Sequence, residues 1–125
     1  EIYQWCCERA ARPAVLVSSG EVVERAIAGG DSEAGEAGKY FLRFFGRVAG
    51  DLALAFLPFG GIFLSGGVTR AVAPLIETST TFLDAFQAKG RQTELMATFP
   101  IGLLLDDLAA LSGCAEWVRL QTRAD

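Results

Sequence analysis

Histidine is absent from this chain, and cysteine and proline are scarce. Without an imidazole, these residues cannot supply a histidine base, a Cys–His couple or a histidine-rich metal site. The three cysteines, Cys6, Cys7 and Cys114, form neither a Cys-x-x-Cys pair nor an even set, and a bridge between adjacent cysteines would be strained. We therefore expect reduced, buried thiols, a cytoplasmic location and no metal site in this chain.

Basic clusters and long uninterrupted apolar runs are also missing. The 11 basic and 15 acidic residues leave a net charge of −4, which argues against binding to nucleic acid or to anionic membranes. The longest apolar stretch, residues 52–65, is interrupted by Pro58 and Gly60-Gly61 and is too short to cross a bilayer. The chain begins at Glu1 and shows no secretory signal. It also lacks an initiator Met, which predicts a trimmed or partial chain.

Apolar residues are abundant instead, at 51% of the 125 residues, which is enough for a compact core in one domain. Apolar periodicity and capping residues predict helices in the first half of the chain. The first covers residues 1–12, and the second runs from Ser18 or Ser19 to Gly29-Gly30. A long third helix is expected to begin at Asp31 or Ser32.

The third helix carries apolar residues at three- and four-residue steps, which predict a broad buried face. This predicted face consists of Phe41, Phe44, Phe45, Val48, Leu52, Ala55, Phe56 and Phe59. On the polar side, Arg47 and Asp51 are four residues apart and are expected to pair. Gly46 and Gly50 lower helix propensity, so we expect another element to pack closely against them.

A glycine pair closes each side of a short apolar run in residues 60–68, which read GGIFLSGGV. This pattern predicts a strand buried on both faces over about residues 61–65, followed by a tight turn and a helix. Pro74 is expected in the first turn of that helix, which would then begin near Ala71 or Val72. A second apolar run predicts another buried strand over about residues 101–105.

Further helices are predicted over residues 80–88, 93–98 and 110–122, and the order of elements favours an α/β fold with a parallel sheet covered by helices. A mean sheet holds about 5–6 strands. We therefore expect that this chain lacks the N-terminal strands of its sheet or borrows them from another segment.

Several short motifs, in this order and spacing, resemble the C-terminal part of the bacterial glucokinase family. They are Gly46-Arg47, residues 50–54, residues 59–68 and Lys89-Gly90-Arg91. The resemblance runs over residues 38–119 and more loosely before them. It implies that residues 1–125 are a single partial domain, the C-terminal part of the large domain of an actin-like ATPase (ribonuclease H-like), helix-rich with the two predicted strands.

The resemblance implies ATP-dependent phosphorylation of D-glucose to glucose 6-phosphate, at the entry to glycolysis. ATP and Mg²⁺ would serve the full-length enzyme, glucose would bind with the missing N-terminal part, and the protein would form a homodimer in the cytoplasm. In that superfamily, the turn matching Ser65, Gly66, Gly67 and Val68 lines the adenosine side of the nucleotide cleft. A turn without Cβ atoms lets a purine or ribose approach the backbone, and the helix after it presents free amides.

The catalytic parts of that family are expected upstream of Glu1: its phosphate loop, its catalytic aspartate and its sugar-binding residues. No catalytic residue is therefore assigned in this chain, and Asp51, Asp106 and Asp107 are not taken as general bases. The chain also departs from the family pattern in two places. Asp51 stands where an amide is frequent, and residues 108–110 read Leu-Ala-Ala where Asn-Pro-Gly is frequent, so no nucleotide role is assigned to residues 106–112.

A different class of function is a stand-alone, non-catalytic α/β interaction module in which the glycine turn is only architecture. It is motivated by the missing base, histidine and phosphate loop. Cys114 stands where the family has a small residue, and we expect it to be a packed thiol.

Overall fold

The structure, a computed structural model, describes residues 1–13 and 15–122. Its elements are α1 (Ile2–Arg9), α2 (Ser19–Ala28), α3 (Ser32–Phe56), β1 (Ile62–Ser65), α4 (Gly67–Thr78), α5 (Thr81–Gln87), a 3-10 turn (Gly90–Gln92), α6 (Thr93–Met96), β2 (Ile101–Leu104) and α7 (Ala109–Thr122). None of the helices in these two ranges is long and apolar enough to cross a bilayer.

The predicted caps of α2 and α3 are confirmed. The Ser18 side chain accepts the amide hydrogen of Glu21 at 3.2 Å, and Asp31 Oδ1 accepts that of Ala34 at 3.0 Å. At the other end of α2, Gly29 adopts a left-handed φ of 75° and ends the helix. These boundaries depend on local side-chain and backbone chemistry, which the sequence carries directly.

Two predicted helix boundaries are wrong. The first helix stops at Arg9, before the predicted residue 12, because Ala11 leaves the helical region with a φ of 53°. Helix α4 begins at Gly67, so Pro74 lies inside the helix and not in its first turn. Gly66, with a φ of 98°, turns the chain directly from β1 into α4, and the Arg70 amide already bonds to the Gly66 carbonyl at 3.1 Å.

The buried face of α3 consists mainly of small residues, contrary to the prediction. Its buried residues are Glu33, Ala34, Ala37, Leu42, Gly46, Ala49, Gly50 and Ala53. Of the predicted face, Phe41 and Phe45 pack partly against the core, whereas the other members are exposed: Phe44, Val48, Leu52, Ala55, Phe56 and Phe59.

Close packing of α5 explains this choice of face. A Cβ added at Gly46 would overlap the carbonyl oxygen of Phe82, and one at Gly50 would lie 2.5 Å from the carbonyl oxygen of Phe86. The backbones of α3 and α5 can therefore approach only where α3 has no bulky side chain. The expectation that Gly46 and Gly50 mark a close helix contact is confirmed.

The main core lies between α3, α4, α5, α6 and the sheet. It is built from Leu42, Ala49, Ala53, Val72, Phe82, Phe86, Met96 and Phe99. A second cluster joins α1 to the start of α3 and contains Tyr3, Cys6, Cys7, Ala34 and Ala37.

The thiols only partly follow the prediction. Cys6 and Cys7 are free and buried, and burial raises the pKa of the Cys6 thiol above its ordinary value. Cys114, expected as a packed thiol, is exposed on α7.

The predicted ion pair of Arg47 with Asp51 is replaced by another, because Asp51 binds Lys89 instead.

Strands β1 and β2 pair in parallel, as predicted, with Ile62 beside Ile101 and Ser65 beside Leu104. The expectation that both faces of the strands are buried is wrong, since Phe63 is 65% exposed. Alternate residues, including Ile62, pack against the main core. The helices therefore cover one face of this two-stranded sheet, and Phe63 lies on the other.

Candidate functional site

The glycine turn, residues 65–68, leads from β1 into α4. Ser65 is the last residue of β1, Gly66 adopts a φ of 98° and a ψ of 173°, and Gly67 begins α4. Together with Val68, these residues are exposed. A φ in this range favours glycine, and a Cβ added at Gly66 would meet no atom within 4 Å. The space in front of the turn is therefore open to a ligand.

Thr69 anchors the turn from its buried side. This residue is 2% exposed, and its Oγ1 donates a hydrogen bond to the Ser65 carbonyl at 3.1 Å. Gly66 offers no side chain to cap α4. The amides in the first turn of a helix have no intrahelical acceptor and carry the positive end of the helix dipole. The turn can therefore offer backbone donors to a polar ligand.

A groove of about 610 Å³ opens beside this turn. Its size falls within the range of about 300–1,000 Å³ that is typical of small-molecule pockets. Four helices surround it, α1 to α4, and most of the side chains are small or aliphatic. The lining residues that the site uses are Gly67, Val68 and Ala71 of α4, Val22, Val23 and Ala26 of α2, and Ala37, Gly38 and Phe41 of α3.

A polar network holds α1, α2 and α3 together at one end of the groove. Tyr3 of α1 also lines the groove, and its hydroxyl donates to Asp31 Oδ2 at 3.0 Å and accepts from Arg25 Nη1 at 3.4 Å. Arg25 also pairs with Glu21, with 2.7 Å between Nη2 and Oε1. The wall formed by α2 is thereby fixed relative to α3.

Two pKa values in this network are shifted. The Ala34 amide, the largest favourable cause, and the Tyr3 hydroxyl both stabilise the Asp31 carboxylate and lower its pKa. The hydrogen bond that Tyr3 donates to Asp31 raises the pKa of the Tyr3 phenol. At neutral pH, Asp31 is therefore ionised and Tyr3 neutral, which is the pairing that this geometry requires.

The loop that follows β2 lies beside the glycine turn. Asp106 Oδ1 accepts the amide hydrogen of Leu108 at 2.8 Å, and Asp107 forms an ion pair with Arg70 of α4. Sequence reasoning assigned no role to this loop and missed Arg70. The available signal was the parallel order of the strands, because the carboxyl ends of neighbouring parallel strands lie at one edge of a sheet.

Acidic side chains do not gather into a metal site in the part of the chain that the structure describes. There, no group of three or more His, Cys, Asp or Glu side chains is close enough to hold an ion. Asp51 lies on α3 with Lys89, whereas Asp106 and Asp107 follow β2. The three aspartates excluded as bases therefore belong to separate structural contacts.

The sequence is similar to known proteins over nearly its whole length. The Glucokinase family model matches residues 1–121. The chain is 37% identical over 118 residues to the Glucokinase of Rhizobium meliloti (strain 1021), covering 94% of this chain and 34% of that protein. It is 36% identical over 122 residues to the Glucokinase of Chelativorans sp. (strain BNC1), covering 98% of this chain and 35% of that protein.

A solved structure shares the fold. The crystal structure of a glucokinase from an Antarctic psychrotroph superimposes with a TM-score of 0.71 at 26% identity, over 86% of this chain and 33% of that chain. The present chain thus spans about a third of the length of the curated relatives it matches. The helix-rich α/β arrangement with its parallel strand pair is accordingly the arrangement of a glucokinase segment.

Proposed function

The chain belongs to the glucokinase family, and from this we propose that it is the C-terminal portion of an ATP-dependent kinase that converts D-glucose to glucose 6-phosphate. The full-length enzyme would be a cytoplasmic homodimer, and residues 1–125 would be part of the actin-like large domain. The Glucokinase of Rhizobium meliloti, of which the chain covers 34%, supports the view that residues 1–125 are part of a longer enzyme. The sugar-binding and catalytic groups would lie in the other part of the enzyme.

We place the adenosine end of ATP against the glycine turn, residues 65–68. The observation that carries this proposal is the open space in front of Gly66, at the edge of an apolar groove. A purine is flat and apolar on its faces, so Val68 and Ala71 would pack against it, while the backbone of Gly67 could approach the ribose. The free amides at the start of α4 would bind ribose or phosphate oxygens.

The chemical step would rest on groups outside this chain, because the family resemblance places the phosphate loop and the catalytic aspartate upstream of Glu1. A general base must reach the hydroxyl that it deprotonates, and Asp107 is engaged by Arg70. The residues of this chain would thus orient ATP and shield the adenosine from water. Their contribution to the rate is the positioning of the nucleotide.

Mg²⁺ would be the metal of the full-length enzyme, because it neutralises the charge of the phosphates during phosphoryl transfer. Its preferred ligands are carboxylates, water and phosphate oxygens. The described residues of this chain provide no cluster of carboxylates for it. We therefore assign the ion to the phosphates and to the other part of the enzyme.

The direct test is an assay of the complete gene product that contains this chain, with glucose, ATP and Mg²⁺. Formation of glucose 6-phosphate is the expected result. If purified, folded protein forms none, the assignment is wrong.

A sharper test of the site is Gly66→Val. The added side chain enters the open space before the turn, and a branched residue at a φ of 98° adds strain on the order of 1–3 kcal/mol. We expect the KM for ATP to rise by about tenfold or more, with little change in the KM for glucose. Gly90→Val is the matched control, because Gly90 also has a positive φ, of 58°, and no atom within 4 Å of an added Cβ, but does not line the groove.

The second candidate is the non-catalytic interaction module. It is supported by the exposed stripe of α3, where Phe44 is 67% and Phe56 is 77% exposed, since exposed apolar patches often mark contact surfaces. The reading frame before Glu1 separates the two. An Asp-x-Gly-Gly-Thr-type loop followed by a catalytic aspartate supports the kinase, and a start codon immediately before Glu1 supports the module.

A further inference from the structure

Arg70 and Asp107 connect the two loops that leave the carboxyl ends of the strands. Arg70 lies in the first turns of α4, after the glycine turn, and its Nη2 pairs with Asp107 Oδ1 in the loop after β2. Strand register brings the loops to the same level, because Ser65 is opposite Leu104. The ion pair therefore closes a bridge across the edge of the sheet at which the glycine turn lies.

The bridge runs along the turn itself. The guanidinium Nη2 of Arg70 lies 3.9 Å from the position that a Cβ on Gly67 would occupy. On the other side, Asp106 is already engaged by the amide of Leu108, so the loop is shaped by one aspartate and presents the other to Arg70. The consecutive carboxylates of Asp106 and Asp107 thus bind different groups, one within the loop and one on α4.

Exposure limits what this pair can do for the whole fold. The Arg70 and Asp107 side chains are 34% and 71% exposed, and exposed ion pairs contribute little to the free energy of unfolding. A weak interaction can still select one of several conformations of a short loop. Its effect is then seen in the binding of a ligand to that loop and not in the stability of the protein.

We propose that Arg70 and Asp107 act together as positioning residues for the nucleotide turn, holding the amides of Gly67 and Val68 toward the groove. The inference rests on the proposed function, because ATP is the ligand whose binding it concerns. In this scheme Asp107 does not contact the ligand and acts only through Arg70. Removing either member should therefore have the same effect as removing both.

The test is a double-mutant cycle in the complete gene product, with Arg70→Gln, Asp107→Asn and the two together. Each single variant should raise the KM for ATP by about three-fold to five-fold, the upper part of the range expected for an exposed pair, and the double variant should add nothing further. The kcat and the KM for glucose should stay unchanged, and Arg70→Lys should restore most of the affinity. Glu116→Gln, which breaks the exposed pair with Arg119 on α7, should leave all constants unchanged.

Three results would overturn the inference. If Arg70→Gln raises the KM for ATP while Asp107→Asn does not, Arg70 binds the nucleotide directly. If the KM for glucose changes as much as that for ATP, the pair has a general structural role. If the unsubstituted protein forms no glucose 6-phosphate, the proposed function fails and the inference falls with it, an outcome visible before any variant is measured.

Discussion

Lys89 Nζ lies 2.5 Å from Asp51 Oδ1 and ties the chain after α5 to the middle of α3. The same Nζ donates to the carbonyl of Arg47 at 2.9 Å. The Lys89 side chain is only 10% exposed, and its Cε lies beside Gly50. Sequence position alone would have paired Asp51 with a neighbour on its own helix.

We expect Lys89→Met to lower the free energy of unfolding by about 1–2 kcal/mol, because it removes two charge-assisted hydrogen bonds but keeps the apolar stem. Chemical denaturation measures the loss. Asp51→Asn is the milder partner, since the amide keeps an oxygen acceptor and Asp51 is 71% exposed; its cost should be below about 1 kcal/mol. Equal, large losses in both variants would contradict this account.

Two glycines of α3, Gly46 and Gly35, should affect stability in opposite directions when they are replaced by alanine. Gly46→Ala places a methyl group on the carbonyl of Phe82, and we expect a loss of about 1–3 kcal/mol despite the better helix propensity of alanine. Gly35 lies in the same helix with no atom within 4 Å of an added Cβ. Gly35→Ala should therefore stabilise the protein by about 0.5–1 kcal/mol.

Thermal unfolding of both variants measures these changes. A stabilising Gly46→Ala would show that α3 and α5 are not in close backbone contact. A destabilising Gly35→Ala would show that another element covers that position.

The cysteines should differ in their rates of alkylation. Cys114 is exposed, whereas Cys6 and Cys7 are buried, and burial raises the pKa of Cys6, which lowers its thiolate fraction. Iodoacetamide treatment of the native protein at pH 8, followed by peptide mapping, should label Cys114 first. Rapid labelling of Cys6 would contradict the packing of α1 against α3, and denaturant should remove the difference.

Ionisation of Asp31 should make the free energy of unfolding depend on pH in the acidic range. The pKa of Asp31 in the folded protein lies below its ordinary value, so its contribution to stability is present above the unfolded pKa and is lost as the pH falls through the folded pKa. We expect the free energy of unfolding to decrease below about pH 4, and Asp31→Asn to flatten this decrease while keeping a helix cap.

Denaturation of the wild type and of Asp31→Asn at a series of pH values measures that difference. Tyr3→Phe is the control, because it removes one of the hydrogen bonds that lower the pKa of Asp31. The free energy of unfolding of Tyr3→Phe should decrease at low pH less than that of the wild type and more than that of Asp31→Asn. An unchanged slope in Asp31→Asn would mean that Asp31 has an ordinary pKa.

Local chemistry made part of the fold predictable. Ser18, Asp31 and Gly29 define helix ends through contacts within a few residues, and the sequence states those residues directly. The buried face of α3 could not be predicted in this way. Apolar residues such as Phe44 and Ala49 occur on more than one side of this helix, and the side that is buried depends on where α5 packs. The partner of Asp51 was missed for the same reason, because Lys89 comes from a distant segment.

The candidate site was likewise predictable only in part. The sequence of residues 65–68 indicates the glycine turn, and the apolar run before it predicts that the turn follows a strand. Its groove combines α1, α2, α3 and α4, and its bridge pairs Arg70 with Asp107. Both arise from the three-dimensional arrangement of distant segments.

The parallel pairing of β1 with β2 also bears on the order of folding. Residues 66–100 separate the two strands, and closing a loop of that length costs conformational entropy before any hydrogen bond of the ladder can form. The hydrogen bonds inside each of the helices α3, α4 and α5 are local and form faster. We therefore expect the strands to pair after these helices have formed, so that the turn from Ser65 to Val68 acquires its final shape later than the helices do.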